Sequence, residues 1–182
     1  MRTIEEEHEL IKKAQQDIRY FEALYDQYYL PIFYFVAKRT ENKELAGEIT
    51  STVFLKAIEN IKKYTFQGLP FSSWLYRIAQ NTLTDMYRKN KSVHIIDASS
   101  KQLESIQQEI DGDEKEKQIA AILELLPKLS EEEIALIELR YFDQRRYKEI
   151  AEILNITEES ARVRTHRVIV KIKGMLNLNV ER

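Results

Sequence analysis

Glycine and proline are scarce in this chain, and their scarcity limits the possible fold more than any other feature. The 182 residues include four Gly and three Pro, which supply few of the tight turns that a turn-rich β fold needs. Apolar residues recur along most of the chain at three- and four-residue spacings, which is the period of an amphipathic helix. The sequence therefore predicts an all-α fold.

The stretch from Phe71 to Lys91 is the most informative of the predicted helices. Its apolar stripe consists of Trp74, Leu75, Ile78, Ala79 and Leu83. Its end carries a cluster of cations, which suits the negative end of a helix dipole and also suits phosphate. At its start, Ser72 or Ser73 is predicted to supply the N-cap oxygen.

The segment from Lys62 to Phe71 combines cations with aromatic side chains around a Gly and a Pro, so it cannot be a regular helix. Aromatic rings on a loop beside cations can hold unstacked bases while the cations hold the backbone. Between Lys62 and His94 there are six Lys and Arg and one acid, Asp85. A solvated basic face is the other interpretation of this pattern.

Three further helices are predicted upstream. They cover Ile4 to Gln16, Asp17 to Arg39 with a bend or break at Pro31, and Asn42 to Ile61. Helices of this size pack into one compact bundle. The first domain is therefore predicted to span residues 1–91.

The helical period fails between residues 92 and 116, where acids outnumber cations and serines and glutamines are frequent. This composition predicts a flexible acidic linker, with a transient helix around residues 103–110. Residues 117–182 form the second predicted domain. A helix runs there from about Lys117 to Leu126, and Ser130 with Glu133 forms a capping box at the start of the next.

A helix-turn-helix pattern ends the second domain. Tyr147 to Leu154 is the supporting helix, Asn155 can take the left-handed turn conformation, and Thr157 caps the final helix. The predicted inward stripe of that helix is Ala161, Thr165, Val168, Ile172 and Leu176. Recognition helices enter the major groove through their N-terminal residues. The residues expected to meet DNA are Glu159, Ser160, Arg162, Val163, Arg164, Arg167 and Lys171.

Bulk properties narrow the function classes. The net charge of −2 excludes a uniformly basic coat, so any cations that bind nucleic acid must be segregated. The chain has no long apolar run and no apolar core near its N-terminus that is typical of a secretion signal, so a cytoplasmic protein is expected. The lack of Cys excludes disulfides and thiolate metal sites and is compatible with any redox compartment. No phosphate-binding glycine loop or metal-ligand cluster is present, and neither a cofactor nor an enzymatic activity is predicted.

Both halves resemble a known family. The stretch FSSWLYRIAQNTLTDMYRK resembles region two of the extracytoplasmic-function (ECF, group IV) sigma factors of the sigma-70 family, which are promoter-specificity subunits of bacterial RNA polymerase. LPKLSEEEIALIELRYF and YKEIAEILNITEESARVRTHRVIVKIK resemble region four of the same family. The resemblance covers nearly the whole chain and implies a protein that binds core polymerase, directs it to promoters and helps to melt DNA.

The resemblance also implies sites and partners. The residues matched to core-polymerase binding are Glu48, Phe54, Leu55 and Lys56. The residues matched to the melted downstream promoter element are Lys62, Lys63, Tyr64, Phe66, Phe71, Arg77, Asn81, Arg88, Lys89 and Lys91. The upstream element is expected to bind the second domain as a duplex. The family also implies an anti-sigma partner, although no residue identifies one, and a linker that enters the RNA exit path.

The chain departs from the family at positions that bear on specificity. Ser51 and Thr52 stand where a Gln-Glu pair is usual at the polymerase contact. Glu159 replaces a glycine close to DNA, and Val163 replaces a small polar residue. The rival hypothesis is an autonomous helix-turn-helix regulator, which would bind a palindromic site without polymerase. The third hypothesis is an enzyme whose nucleophile is not recognised from the sequence.

Overall fold

The computed structural model describes residues 3–90, 106, 122 and 124–180, which fall into two compact units. Every regular element among these residues is helical. The predicted all-α class with two small helical domains is confirmed.

The N-terminal unit is a bundle of four helices. They are α1 (Ile4–Gln16), α2 (Glu22–Ala37), α3 (Lys43–Asn60) and α4 (Phe71–Asn90), with 3-10 turns at Ile18–Phe21 and Ile61–Lys63. Helix α3 packs against both α2 and α4, and α2 also contacts α4. The most deeply buried core side chains include Leu24, Ile32, Val36, Val53, Leu75 and Leu83. Their burial is the main stabilising contribution to the bundle.

The boundary between α1 and α2 differs from the prediction. The backbone of Asp17 is extended, and its carboxylate accepts a hydrogen bond from the amide of Arg19, so a 3-10 turn precedes α2. Pro31 was expected to bend or break this helix; the break does not occur, because α2 continues through the proline. The side-chain cap at Asp17 sets the start of the 3-10 turn that leads into α2, and the proline does not.

The predicted serine cap of α4 is wrong. The backbone amide of Phe71, the first residue of α4, donates to the carboxylate of Glu7 at 2.7 Å. The same carboxylate accepts a hydrogen bond from the Tyr28 hydroxyl. The hydroxyl of Ser73 is buried without a hydrogen-bond partner. A buried carboxylate from α1 therefore takes the place of the local cap.

The C-terminal unit contains α5 (Glu131–Ile137), α6 (Tyr147–Leu154) and α7 (Glu158–Val180). The predicted capping box is present, because the Ser130 hydroxyl accepts from the Glu133 amide and the Glu133 side chain accepts from the Ser130 amide. Helix α5 continues into a π-helical turn at Glu138–Phe142. The predicted inward stripe of α7 is buried at all five positions.

The predicted linker, residues 92–116, and the predicted helix after it lie mostly outside the described residues. Ile106 is an exception, because it is helical and fully buried. At that residue the helix expected around residues 103–110 agrees with the structure, whereas the expected solvation does not. Ile122 is also helical and fully buried, in line with the predicted helix. The proposed limits of the domains, 1–91 and 117–182, stay predictions.

Candidate nucleic-acid and polymerase interfaces

A cleft of about 600 Å³ opens on the N-terminal unit between α3 and α4. Its lining residues are Lys56, Asn60, Lys63, Tyr64, Trp74, Arg77, Ile78 and Asn81. Three of these eight side chains are cationic, two are aromatic, two are amides, and none is acidic. Cations beside aromatic rings suit a single nucleic-acid strand, since the cations attract phosphates and the rings stack on bases.

The aromatic wall of the cleft is continuous with the core. The ring centroid of Tyr64 lies 5.0 Å from that of Trp74 and 5.3 Å from that of Phe71. Burial raises the pKa of Tyr64 to about 12, and the nearby Glu7 carboxylate adds to the rise. The phenol is therefore neutral at physiological pH and adds no negative charge to the cleft.

The α3-α4 loop, residues 61–70, borders this cleft through Lys63 and Tyr64. Gly68 has a φ of +71°, a backbone conformation that favours glycine. Phe66 is half-buried, and its ring stacks on His8 of α1 with centroids 4.4 Å apart. The loop therefore contacts α1 as well as the helices that it joins.

The predicted helix-turn-helix geometry is present in the C-terminal unit. Asn155 has a φ of +55°, and the amide of Ile156 donates to the carbonyl of Ala151 at 3.0 Å. The Thr157 hydroxyl accepts from the Ser160 amide at 3.1 Å, which caps α7 as predicted. These contacts fix the direction in which α7 leaves α6.

The cations of α7 lie on two different faces. Arg164 forms an ion pair with Glu132, and the Lys171 ammonium lies 2.7 Å from the Glu133 carboxylate. Both acids belong to α5, so this face of α7 points towards α5. Burial by itself raises the pKa of Glu133, but hydrogen bonds from Lys171 and Ser130 outweigh it and hold the pKa below its usual value.

The other cationic face begins at Arg162. Its guanidinium carbon lies 5.6 Å from the ring centroid of Tyr147, and that of Arg140 lies 4.7 Å from the same ring. The exposed residues Glu159, Val163 and Arg167 follow one another at four-residue spacing and form one stripe, which adjoins Arg162 because Glu159 is three positions from it. This face carries the methyl groups of Val163 together with cations. Methyl groups can contact a base edge in the major groove, and cations can contact phosphates.

Comparison with known families decides what these two units are. The description Sigma-70 region 2 matches residues 24–93, and Sigma-70, region 4 matches residues 119–172. The two matches cover more than half of the chain. The chain belongs to the sigma-70 family. As a sigma-70 protein it is an RNA polymerase sigma factor, which acts with polymerase and promoter DNA in transcription initiation.

Individual relatives agree with this assignment. The ECF RNA polymerase sigma factor SigW of Bacillus subtilis is 31% identical over 86% of this chain and 88% of its own length. The ECF RNA polymerase sigma factor BldN of Streptomyces coelicolor is 24% identical, and the match covers 92% of this chain and 65% of BldN. This sigma factor is therefore an ECF member of its family. The autonomous regulator is the weaker hypothesis, because both sigma regions occur in order.

One solved structure supports the fold. The structure of CnrH in complex with the cytosolic domain of CnrY aligns with a TM-score of 0.59 and 19% identity. The alignment covers 94% of the sigma factor described here and 97% of that chain.

The predicted downstream-promoter residues of this sigma factor differ in their surroundings. Phe66 is half-buried against His8, outside the lining of the cleft. Lys63, Tyr64, Arg77 and Asn81 meet in the cleft. Lys62, Arg88 and Lys89 are exposed outside its lining, and Arg88 pairs with Asp85 at 2.9 Å. Phe71 is fully buried, so its ring cannot stack on a base and its assignment to DNA is corrected. Lys91 lies outside the described residues.

The residues predicted to bind core polymerase also differ in their exposure to solvent. Glu48 and Leu55 are exposed, and 61% of Leu55 is accessible to solvent. Phe54 is 2% exposed and packs its ring against Phe21 and Tyr25. The prediction for Phe54 is corrected, because a side chain inside the core cannot contact a partner directly. The Lys56 ammonium faces the cleft and donates to the Thr82 hydroxyl at 3.0 Å.

Four contributions to the cleft were missed from the sequence. Trp74 and Ile78 were assigned to the core, Lys56 was matched to polymerase binding, and Asn60 was not considered. The signal was the spacing of Trp74, Arg77, Ile78 and Asn81, which places all four on one helical stripe. That stripe mixes apolar, cationic and amide side chains, which is typical of a ligand surface more than of a core.

Neither a membrane-spanning helix nor a metal-binding cluster occurs among the described residues. No helix there has both the length and the apolar character needed to cross a bilayer. Within the same residues, no group of three or more potential His, Asp or Glu ligands is placed to hold a metal ion.

Proposed function

We propose that this protein is a group IV ECF sigma factor whose cleft captures the melted downstream strand of the promoter. The observation that carries the proposal is the composition of the cleft, whose lining places the cations Lys56 and Lys63 beside the aromatic residues Tyr64 and Trp74 and contains no acidic residue. A strand in this cleft would place phosphates against the cations and bases against Tyr64 or Trp74.

The assignment of further residues follows from their exposure. We propose that the strand is held around the cleft by Lys62, Phe66, Asn81, Arg88 and Lys89. The phosphate contact that the sequence predicts for Lys91 is also proposed. Phe71 and Phe54 are withdrawn as contact residues. Their role is to support the aromatic wall and the packing of α3, respectively.

Core polymerase is proposed to bind the exposed face of α3 that carries Glu48 and Leu55. Leu55 and Ile58 are three residues apart on this helix and are both exposed apolar side chains. Exposed apolar residues on a helix suit burial by a protein partner. An anti-sigma protein is a further proposed partner, and we place the sigma factor in the cytoplasm because its partners, polymerase and promoter DNA, act there.

The upstream promoter element is proposed to bind α7 as a duplex. Glu159, Ser160, Arg162, Val163 and Arg167 would meet the major groove, because they lie near the helix N-terminus. Arg164 and Lys171 become secondary, because each is already paired with an acid of α5. The protein acts in this proposal by binding and not by catalysis.

Reconstituted transcription tests the proposal. Purified protein and bacterial core polymerase are combined on a pool of genomic promoters, and start sites are mapped with and without the protein. New starts that depend on it are expected to share two sequence elements. Starts that do not depend on the protein, together with a footprint by the protein alone, would favour an autonomous regulator.

The cleft is tested on a promoter found in that way. Lys63→Ala is compared with Lys43→Ala, which removes an exposed cation at the far end of α3. Lys63→Ala is expected to bind core polymerase normally and to lose about fivefold in affinity for a pre-melted bubble template, since one phosphate contact disappears. Equal bubble binding by the two variants would remove Lys63 and its cleft from the strand path.

A further inference from the structure

Helix α1 contacts the α3-α4 loop at its beginning, its middle and its end. All of α1 precedes the match to Sigma-70 region 2, which begins at residue 24. The contacts of α1 with the loop are therefore not part of what the family comparison assigns.

The first contact is made by Gln15. Its side-chain amide donates to the carbonyl of Ile61 at 3.0 Å and to that of Tyr64 at 2.8 Å. The two carbonyls lie at the start and at the C-cap of the 3-10 turn that follows α3, where the Ile61 carbonyl also accepts from the Tyr64 amide at 3.0 Å. One side chain from a remote helix thus uses both of its donors on the loop backbone.

The second and third contacts are made by neighbouring residues of α1. The His8 ring stacks on Phe66 with centroids 4.4 Å apart, and Glu7 accepts from the amide of Phe71 at 2.7 Å. Glu7 is 5% exposed, so its hydrogen bonds are protected from competition by water. The loop is therefore held at residues 61, 64, 66 and 71 by a single helix.

We propose that α1 positions the α3-α4 loop for promoter opening, and that Gln15 is the positioning residue that fixes Tyr64 at the cleft. This inference rests on the proposed function of the cleft. Gln15 itself need not touch DNA. It acts through Tyr64, whose carbonyl it binds and whose ring lines the cleft.

The test uses the full-length variant Gln15→Met with Gln16→Met as its matched control. Methionine keeps the length of the side chain and removes both donors, and Gln16 is exposed on the same helix. Hydrogen exchange of the loop amides, measured by mass spectrometry, is expected to be about tenfold faster in Gln15→Met only, because two backbone anchors are lost.

Holoenzyme assembled with core polymerase supplies the second readout. The rate of open-complex formation is expected to fall about tenfold in Gln15→Met, while the Kd for core polymerase is unchanged, because misplacing a contact group impairs the reaction more than assembly. A parallel loss of core binding and opening would overturn the proposal, since it would show a general folding role.

Unchanged loop exchange, or faster exchange without slower opening, would also overturn it. Lys63→Ala separates this failure from a failure of the proposed function. If Lys63→Ala impairs bubble binding while Gln15→Met opens promoters normally, the cleft stands and the positioning role is wrong. If both variants behave as wild type while loop exchange still accelerates, the strand path itself is wrong.

Discussion

The carboxylate of Glu7 in α1 accepts a 2.7 Å hydrogen bond from the amide of Phe71, the first residue of α4. The two residues are 64 positions apart in sequence, and the same carboxylate binds the hydroxyl of Tyr28 in α2. One buried anion thus connects three helices of the bundle and satisfies a helix N-terminal donor that has no local cap.

Glu7→Ala is expected to lower the free energy of unfolding by about 3 kcal/mol, because two buried hydrogen bonds to a carboxylate are lost. Urea denaturation of the purified protein measures the change. Glu5→Ala, at an exposed position of the same turn, is the control and should cost less than about 1 kcal/mol. Similar losses in the two variants would mean that the buried carboxylate contributes nothing specific.

Phe54→Ala and Leu55→Ala should separate stability from partner binding at adjacent positions of α3. Phe54 is buried, so its truncation should cost about 3 to 5 kcal/mol of stability. Leu55 is exposed, so Leu55→Ala should leave stability nearly unchanged and weaken the affinity for core polymerase. Thermal unfolding and a binding titration with labelled core polymerase measure the two effects. Full polymerase affinity in Leu55→Ala would remove this face of α3 from the interface.

Arg162→Ala and Arg164→Ala should differ in their effect on the upstream promoter duplex. Arg162 lies on the exposed face of α7, where its ion pair with Glu158 of the same helix is exposed and 3.4 Å long, whereas Arg164 is paired with Glu132 of α5. We expect Arg162→Ala to weaken the binding of the holoenzyme to this duplex about tenfold. The slope of log K against log salt concentration should also decrease in magnitude by about 1, because one DNA contact is lost. Fluorescence anisotropy across a salt series tests this. A larger loss for Arg164→Ala would show that α7 presents its other face to DNA.

Acid should weaken the contact between α5 and α7. The pKa of Glu133 is held below its usual value of 4.5 in the folded protein. The stabilisation is therefore fully present above pH 4.5 and is lost as the pH falls through the lower, folded pKa.

Glu133→Gln removes that titration and tests its contribution. Since the pair is partly exposed, we expect the variant to be less stable than wild type at neutral pH by less than about 1 kcal/mol. The difference should disappear in acid, and urea denaturation at several pH values measures it. A difference that persists unchanged at low pH would assign the effect to packing rather than to charge.

Local sequence signals predicted the elements of this protein well. The limits of α1 and α6 agree with the predicted ranges, and the caps at Ser130 and Thr157 are present as expected. These features depend on neighbours within a few residues, and a linear pattern contains all of that information. The two sigma regions were likewise recognisable because their residue order lies within continuous stretches.

The candidate sites were predicted less completely, because they depend on which face of a helix meets another helix. A period of three to four residues cannot separate Phe54, in the core, from a contact residue, or Trp74, in the cleft, from the core. The pairing of Lys171 with Glu133 could not be read from α7 alone, since its partner lies 38 positions away.

The sequence by itself determined an all-α protein with two sigma-type units, because helical period, caps and residue order are local properties. Only the tertiary structure decided that Glu7 caps α4, that Gln15 holds the α3-α4 loop, and that Phe71 is unavailable to DNA. Each of these depends on a contact between distant segments. Burial then decides the outcome, since a group excluded from water must pair within the protein and cannot reach a partner outside it.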